Sequence, residues 1–207
     1  MRFVCLADLH GFLPAVPPCD VLLVAGDICP TDDERPETQR RWLSTTFARW
    51  LAEVPAEAIV GVAGNHDFVG ETDSGALRDL DWHYLQDETV VIDGLSYFGS
   101  PWTSRFQDWA FMLSEQELEQ RWALIPDGID VLCVHSPPFG YGDWISGHTI
   151  GSRSLLAAID ARRPKLCVFG HVHQGYGRWQ RGDSTLVNAA YTGMDYLPAH
   201  EPVVVEL

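Results

Sequence analysis

Val21-Leu22-Leu23-Val24-Ala25-Gly26-Asp27 sets five apolar residues directly ahead of a glycine and a carboxylate. A half-exposed strand would alternate apolar and polar residues, so an unbroken apolar run of this length reads as a strand buried on both faces. The arrangement occurs four more times. Phe3-Val4-Cys5-Leu6-Ala7 leads into Asp8-Leu9-His10, and Ala58-Ile59-Val60-Gly61-Val62-Ala63 into Gly64-Asn65-His66-Asp67. Val131-Leu132-Cys133-Val134 leads into His135, and Leu166-Cys167-Val168-Phe169 into Gly170-His171-Val172-His173. Each run ends in oxygen or imidazole donors. Five such strands are expected to place their donors along one rim of one sheet, and the carboxyl ends of strands are where open α/β sheets bind ligands. The expectation is a polynuclear metal site.

The order D-x-H, G-D, G-N-H-D, H and G-H-x-H resembles the calcineurin-like metallophosphoesterase superfamily, from Val4 to about Asn188. A narrower likeness runs through His135-Ser136-Pro137-Pro138-Phe139-Gly140, Gly151-Ser152 and Pro164-Lys165-Leu166. It is similar to the short branch holding the metallophosphoesterase-domain-containing proteins and related bacterial enzymes. Some of that branch carry glycine at a metal histidine; His171 and His173 are both present here.

Size and composition are consistent with one compact domain over residues 1–207, long enough to bury a real core. The hydrophobic fraction is 46% and there are eight tryptophans, which argues for dense packing rather than disorder. Net charge is −15, and no cluster of Lys and Arg is available to neutralise a phosphate backbone, so stable nucleic-acid binding is not expected. Cys5, Cys133 and Cys167 sit within apolar runs, Cys19 and Cys29 read as loop residues, and no C-x-x-C occurs. Met1-Arg2 passes straight into the first strand, and no apolar stretch approaches the ~18 residues of a membrane span. The chain therefore reads as reduced and cytoplasmic, away from membranes, while its oligomeric state is not written in the sequence.

Between the motifs, Thr38 to Val54 carries a helical stripe of Trp42, Leu43, Phe47, Trp50, Leu51 and Val54. Asp93-Gly94 between Thr89–Ile92 and Leu95–Phe98 is a hairpin signal. Ser114 to Glu117 forms a capping box for a helix to about Leu124, and Ser152 to Arg163 reads as a third helix. Strand-like segments follow at Tyr176–Gln180, Thr185–Asn188 and Val203–Val205. Mixed βα units followed by antiparallel strands suggest two packed sheets with outer helices. The resemblance implies the same α/β fold, a four-layer α/β/β/α sandwich.

A donor set of oxygens and imidazoles without thiolate suits two divalent ions, Mn²⁺ first, then Fe, Zn²⁺ or Co²⁺. The resemblance implies that Asp8, His10, Asp27 and His173 hold one ion and Asp27, Asn65, His135 and His171 the other, with Asp27 bridging. Two ions about 3.5–4 Å apart can lower the pKa of a shared water and clamp attacking and leaving oxygens. A bridging hydroxide would attack phosphorus in line. By the same resemblance His66 protonates the departing oxygen and Asp67 fixes its ring. His148, before a helix start, is either a substrate contact or an ordinary loop residue. Trp102, Arg105, Phe106 and Trp109 read as core by their spacing, with a wall for a base or ring as the alternative. His83 and His200 read as packing residues.

The expected function is hydrolysis of small phosphodiesters, cyclic nucleotides foremost. The alternatives are a phosphomonoesterase, protein phosphatase or dinucleoside polyphosphatase of the same superfamily, or a scaffold that has lost its metals. Phe68-Val69-Gly70 after Asp67 counts against the protein phosphatases, and no ligand position is lost as it would be in a scaffold.

Overall fold

The computed structural model describes residues 1–207. The chain begins β1 (Arg2–Leu6), β2 (Cys19–Ala25), α1 (Pro36–Trp42), a π-helical turn (Leu43–Phe47), α2 (Ala48–Glu53) and β3 (Ala56–Val62). Short helices α3 (Phe68–Thr72) and α4 (Gly75–Arg78) lead to β4 (His83–Tyr84), the hairpin β5 (Glu88–Ile92) and β6 (Leu95–Ser100), and the short strands β7 (Thr103–Ser104) and β8 (Met112–Leu113). Then come α5 (Glu115–Trp122), β9 (Val131–Val134), β10 (Trp144–Ile145), β11 (His148–Thr149), α6 (Arg153–Arg162), β12 (Leu166–Phe169), β13 (Gly177–Arg181), β14 (Ser184–Asn188) and β15 (Val203–Glu206).

Two mixed sheets carry the fold. One has the order β15-β1-β2-β3-β4, parallel except for β15; the other has β13-β14-β12-β9-β6-β5, antiparallel only at its two edge pairs. Alternate residues of each strand separate into different cores. Phe3, Cys5, Val21, Leu23, Val60 and Val62 face Tyr97, Val131, Cys133, Leu166 and Val187 in a core between the sheets. Val4, Leu6, Leu22 and Val24 instead pack on Leu43, Phe47 and Leu51 of the helical segment. Leu132, Val134, Cys167 and Phe169 pack on Leu118 and Trp122 of α5 and Leu155 and Ile159 of α6. Three cores between four layers give the α/β/β/α sandwich, and explain why the strand runs are apolar at every position.

This division corrects the expectation of one sheet. β1, β2 and β3 lie in one sheet and β9 and β12 in the other, so the donors come from two rims. The chain beyond β14 ties the rims together: Ala7 donates to the Ala189 carbonyl at 2.9 Å, and Tyr191 donates back to the Ala7 carbonyl at 2.8 Å.

Local signals explain most boundaries. Asp93 and Gly94 take φ of 50° and 79°, the paired left-handed turn that suits a twisted hairpin. Ser114 and Glu117 exchange both capping-box bonds, and Ser152 caps α6 through the Leu155 N–H. The helix expected over Thr38–Val54 instead starts at Pro36, which needs no donor in the first turn, and is interrupted by the π-helical turn. Leu43, Phe47 and Leu51 are spaced by four, which drifts about 40° per step around a regular helix. The wider turn offsets that drift. Cys19 opens β2 and Cys29 is fully buried, so neither is an exposed loop thiol. No helix is long and apolar enough to cross a membrane.

Candidate metal centre

Every motif donor reaches one place, between the carboxyl ends of β1, β2 and β3 and those of β9 and β12. Asp8, His10, Asp27, Asn65, His135 and His173 are buried, and His171 is partly so. Asp27 lies at the junction. Its Oδ1 accepts the His66 N–H at 2.7 Å, which leaves Oδ2 to face two imidazoles, 3.8 Å from His10 Nε2 and 3.5 Å from His135 Nε2. On one side, His10 Nε2 lies 3.1 Å from His173 Nε2, and His173 Nε2 lies 3.8 Å from Asp8 Oδ1. On the other, Asn65 Oδ1 lies 2.8 Å from His135 Nε2 and 2.7 Å from His171 Nδ1. Two donor groups thus share one carboxylate.

The tautomers suit cation binding. His135 Nδ1 faces the Ala25 carbonyl and His173 Nδ1 the Gly193 carbonyl, each at 2.8 Å. A proton on each Nδ1 aims Nε2 into the cluster, the usual arrangement of ligating imidazoles, with a cation taking the place of any proton on Nε2. His10 Nδ1 is buried with no partner. Burial pushes the pKa of His10 and of His171 down to about 3, so both are neutral donors. Burial also works against a charged His135, but the Asp27 carboxylate beside it raises its pKa to about 9. Burial opposes charge on Asp27 too, yet the His135 imidazole beside it holds it well below the usual carboxylate range. That negative field is suited to a divalent cation. The donors are oxygen and imidazole nitrogen only, which fits a pair of borderline first-row ions.

Backbone strain accompanies this convergence. Asp8, His10, Asp27 and His171 have φ of 52°, 45°, 52° and 70°, a region that costs non-glycine residues energy and persists where surrounding structure enforces it. The motif glycines make room. A Cβ on Gly64 would run into Asp27, and one on Gly170 into the Asp8 carboxylate.

His66 stands apart from the two groups. Its Nδ1 lies 2.8 Å from Glu34 Oε1, leaving its other ring nitrogen for the cavity that His66 helps to line. The orienting role assigned to Asp67 therefore falls to Glu34. Asp67 is fully buried and spends its carboxylate on backbone donors, accepting from Ile28, Cys29 and Gly64 N–H at 2.8–3.1 Å. It braces the β2 and β3 loops against each other. Gln39 of α1 adds a second brace, donating to the His66 carbonyl at 2.7 Å and accepting from Val69 N–H at 2.9 Å.

A cavity of about 220 Å³ opens over the cluster, lined by Asp27, Asn65, His66, His171 and His173 together with side chains from other loops. Arg105, Phe106 and Trp109 are among them, so the core expectation fails for these three. It holds for Trp102, which packs between two cores and donates to Asp87 at 2.8 Å. His148 is exposed in β11 and is not a lining residue, although Ile145 and Ile150 beside it are. His83 is exposed in β4, and His200 stacks on Tyr176 at 4.2 Å. Ser104, Met194 and Tyr196 complete the lining and carry no sequence motif.

The sequence pattern of the calcineurin-like phosphoesterases matches residues 1–175. The chain belongs to that family. It is 34% identical to the human metallophosphoesterase domain-containing protein 1, over all of this chain and 71% of that protein. A 3',5'-cyclic-nucleotide phosphodiesterase of Nostoc is 26% identical, over 78% of this chain and 59% of its own. The phosphopantetheinyl hydrolase of Mycobacterium tuberculosis shares the fold, with a TM-score of 0.61 at 12% identity over 94% of this chain and 90% of that one.

Proposed function

We propose that this member of the family is a metal-dependent phosphodiesterase of small organic diesters, with cyclic nucleotides the foremost candidates. The observation that carries the reading is Asp27, whose Oδ2 faces imidazoles of both donor groups while His66 waits beside them. Asp8, His10, Asp27 and His173 would hold one divalent ion, and Asp27, Asn65, His135 and His171 the other. When bound, the ions supply Lewis acidity to the phosphoryl oxygens and lower the pKa of water.

The chain's own groups do the rest. The cluster sets the phosphorus beside His66. A water oxygen bonds to phosphorus and loses a proton as the opposite P–O bond breaks. The imidazolium of His66 gives its proton to the departing alkoxide while the proton of the attacking water passes to solvent, so the product is a phosphomonoester and a free hydroxyl, both on one molecule when the diester is cyclic. Glu34 stabilises the charged ring before that transfer. His148, exposed in β11 and outside the cavity lining, would be a contact for a substrate that extends beyond the cavity.

The charge of the lining supports a diester. Arg105 is the one lysine or arginine there, and it also lies 3.6 Å from Glu117. It belongs to the wall alternative read from the sequence, and its pairing weakens its grip on a dianion. A net charge of −15 disfavours approach of polyanions more than that of a monoanion, which also argues against nucleic acid as a partner. The test is kcat/KM on metal-reloaded enzyme at matched pH. Bis-nitrophenyl phosphate and cyclic mononucleotides should exceed nitrophenyl phosphate, phosphopeptides and single-stranded DNA. Monoesters or dinucleoside polyphosphates ahead by tenfold would overturn the diester preference.

A further inference from the structure

The lining of the cavity divides by chemistry. Its floor is the donor cluster, whereas its wall is apolar: Phe106, Trp109, Ile145, Ile150, Met194 and Tyr196. None of the six belongs to a donor motif, and they come from three separate segments that reach the rim. Ser104 and Arg105 are the only lining residues outside the floor that offer hydrogen bonds from polar side chains, apart from the Tyr196 hydroxyl and the indole N–H of Trp109.

The aromatic members are set against the reacting groups. Trp109 lies 4.8 Å from the His66 ring, centroid to centroid, and Phe106 meets Trp109 edge-on at 5.3 Å. Tyr196 lies 4.8 Å from His10, 5.1 Å from His173 and 5.9 Å from His66. Phe106 and Met194 are each 57% exposed, so large apolar surfaces stand open at the mouth. Apolar side chains gathered at the mouth of a cavity with a few polar groups at its floor are the common build of a site for an organic ligand.

Tyr196 is also held there. Its φ of 60° lies in the left-handed region, a strain that needs enforcement in a non-glycine residue. Gly193 N–H donates to the Leu197 carbonyl and Tyr196 N–H to the Gly193 carbonyl, closing the loop. The same Gly193 carbonyl accepts from His173 Nδ1 at 2.8 Å. The loop that presents Tyr196 is therefore fastened to a donor of the cluster, beyond the residues matched to the family.

From these observations we infer that the wall of Phe106, Trp109 and Tyr196 selects phosphoesters whose organic group carries a planar aromatic ring, a nucleobase or an aryl group, over small or chain-like alkyl esters. The inference rests on the phosphodiesterase reading above and names the side chains that would choose among its small diesters. Offset or edge-on ring contacts favour flat partners over equally apolar chains.

The test holds the leaving group constant. Methyl, hexyl and phenyl 4-nitrophenyl phosphates all release nitrophenolate, so their kcat/KM values differ through the retained ester. Wild type should prefer phenyl over methyl by tenfold or more and over hexyl by at least threefold. Phe106→Ala and Tyr196→Ala should each reduce the phenyl-to-methyl ratio at least threefold. A wild-type ratio below two, a hexyl ester equal to phenyl, or an unchanged ratio in both variants would overturn the inference. If no ester is hydrolysed with any metal, the phosphodiesterase reading falls, and calorimetry then decides the wall by itself. Phenylphosphonate binding Mn²⁺-loaded protein at least fivefold more tightly than methylphosphonate would support it; equal affinities would contradict it.

Discussion

At the scale of single residues, chemical type and position diverge in instructive ways. Asp67 and Glu34 are both carboxylates near His66, but only Glu34 reaches the ring, while Asp67 is consumed by three backbone donors. Replacing Glu34 with Gln keeps an acceptor in place and removes the charge that stabilises an imidazolium. Glu34→Gln should lower kcat for alkyl leaving groups by about 10- to 100-fold, less than the ~10²–10⁴ expected for removing a general acid outright. The loss should nearly vanish for nitrophenolate, and metal content should stay at the wild-type level by elemental analysis. An equal loss across leaving groups, or a loss of metal, would remove Glu34 from this role. The donors were legible because each group follows a buried strand, in a fixed order along the chain. Glu34 was not, because 32 residues separate it from its partner and no spacing rule joins a loop carboxylate to a histidine of another loop. Tyr196 was illegible for the same reason, since a closed loop far along the chain delivers it.

Among the elements, caps and turns written locally in the sequence appear where expected: Asp93-Gly94 in its hairpin, Ser114 and Ser152 at their helices. Ser152 does more than cap. Its hydroxyl lies 3.0 Å from the Leu155 N–H and 3.1 Å from the indole nitrogen of the buried Trp122, so it joins α6 to α5. Ser152→Ala should cost about 1–3 kcal/mol, combining a lost cap with an indole left short of an acceptor. Urea unfolding should show a lower midpoint at unchanged slope, and Ser152→Thr should recover part of it; an unchanged midpoint for Ser152→Ala would refute the joint. What the elements concealed was their partition. A strand buried on both faces looks the same in either sheet, so five matching runs suggested one sheet where pairing makes two. The π-helical turn was hidden too, because a four-residue spacing is compatible with a regular helix over short lengths.

For the molecule as a whole, the interleaving of two sheets explains both its core and its chemistry. All five cysteines are buried, and burial pushes the thiol of Cys133 up to about 12 and raises those of Cys5, Cys29 and Cys167 as well. A raised pKa means less thiolate at neutral pH, and thiolate is the reactive form. Ellman's reagent should therefore label no thiol in the folded protein and five in denaturant; rapid labelling of the native state would show that the cores open. The donors meet where the rims of the sheets are tied at Ala7 and Tyr191, and Asp27 faces imidazoles of both donor groups. The most direct measurement is metal content after chelator stripping and reloading with excess Mn²⁺, on wild type, Asn65→Ala and Asp27→Ala. A centre shared through Asp27 predicts about two equivalents, about one, and close to none. One tight equivalent in wild type, or two retained by Asp27→Ala, would contradict it.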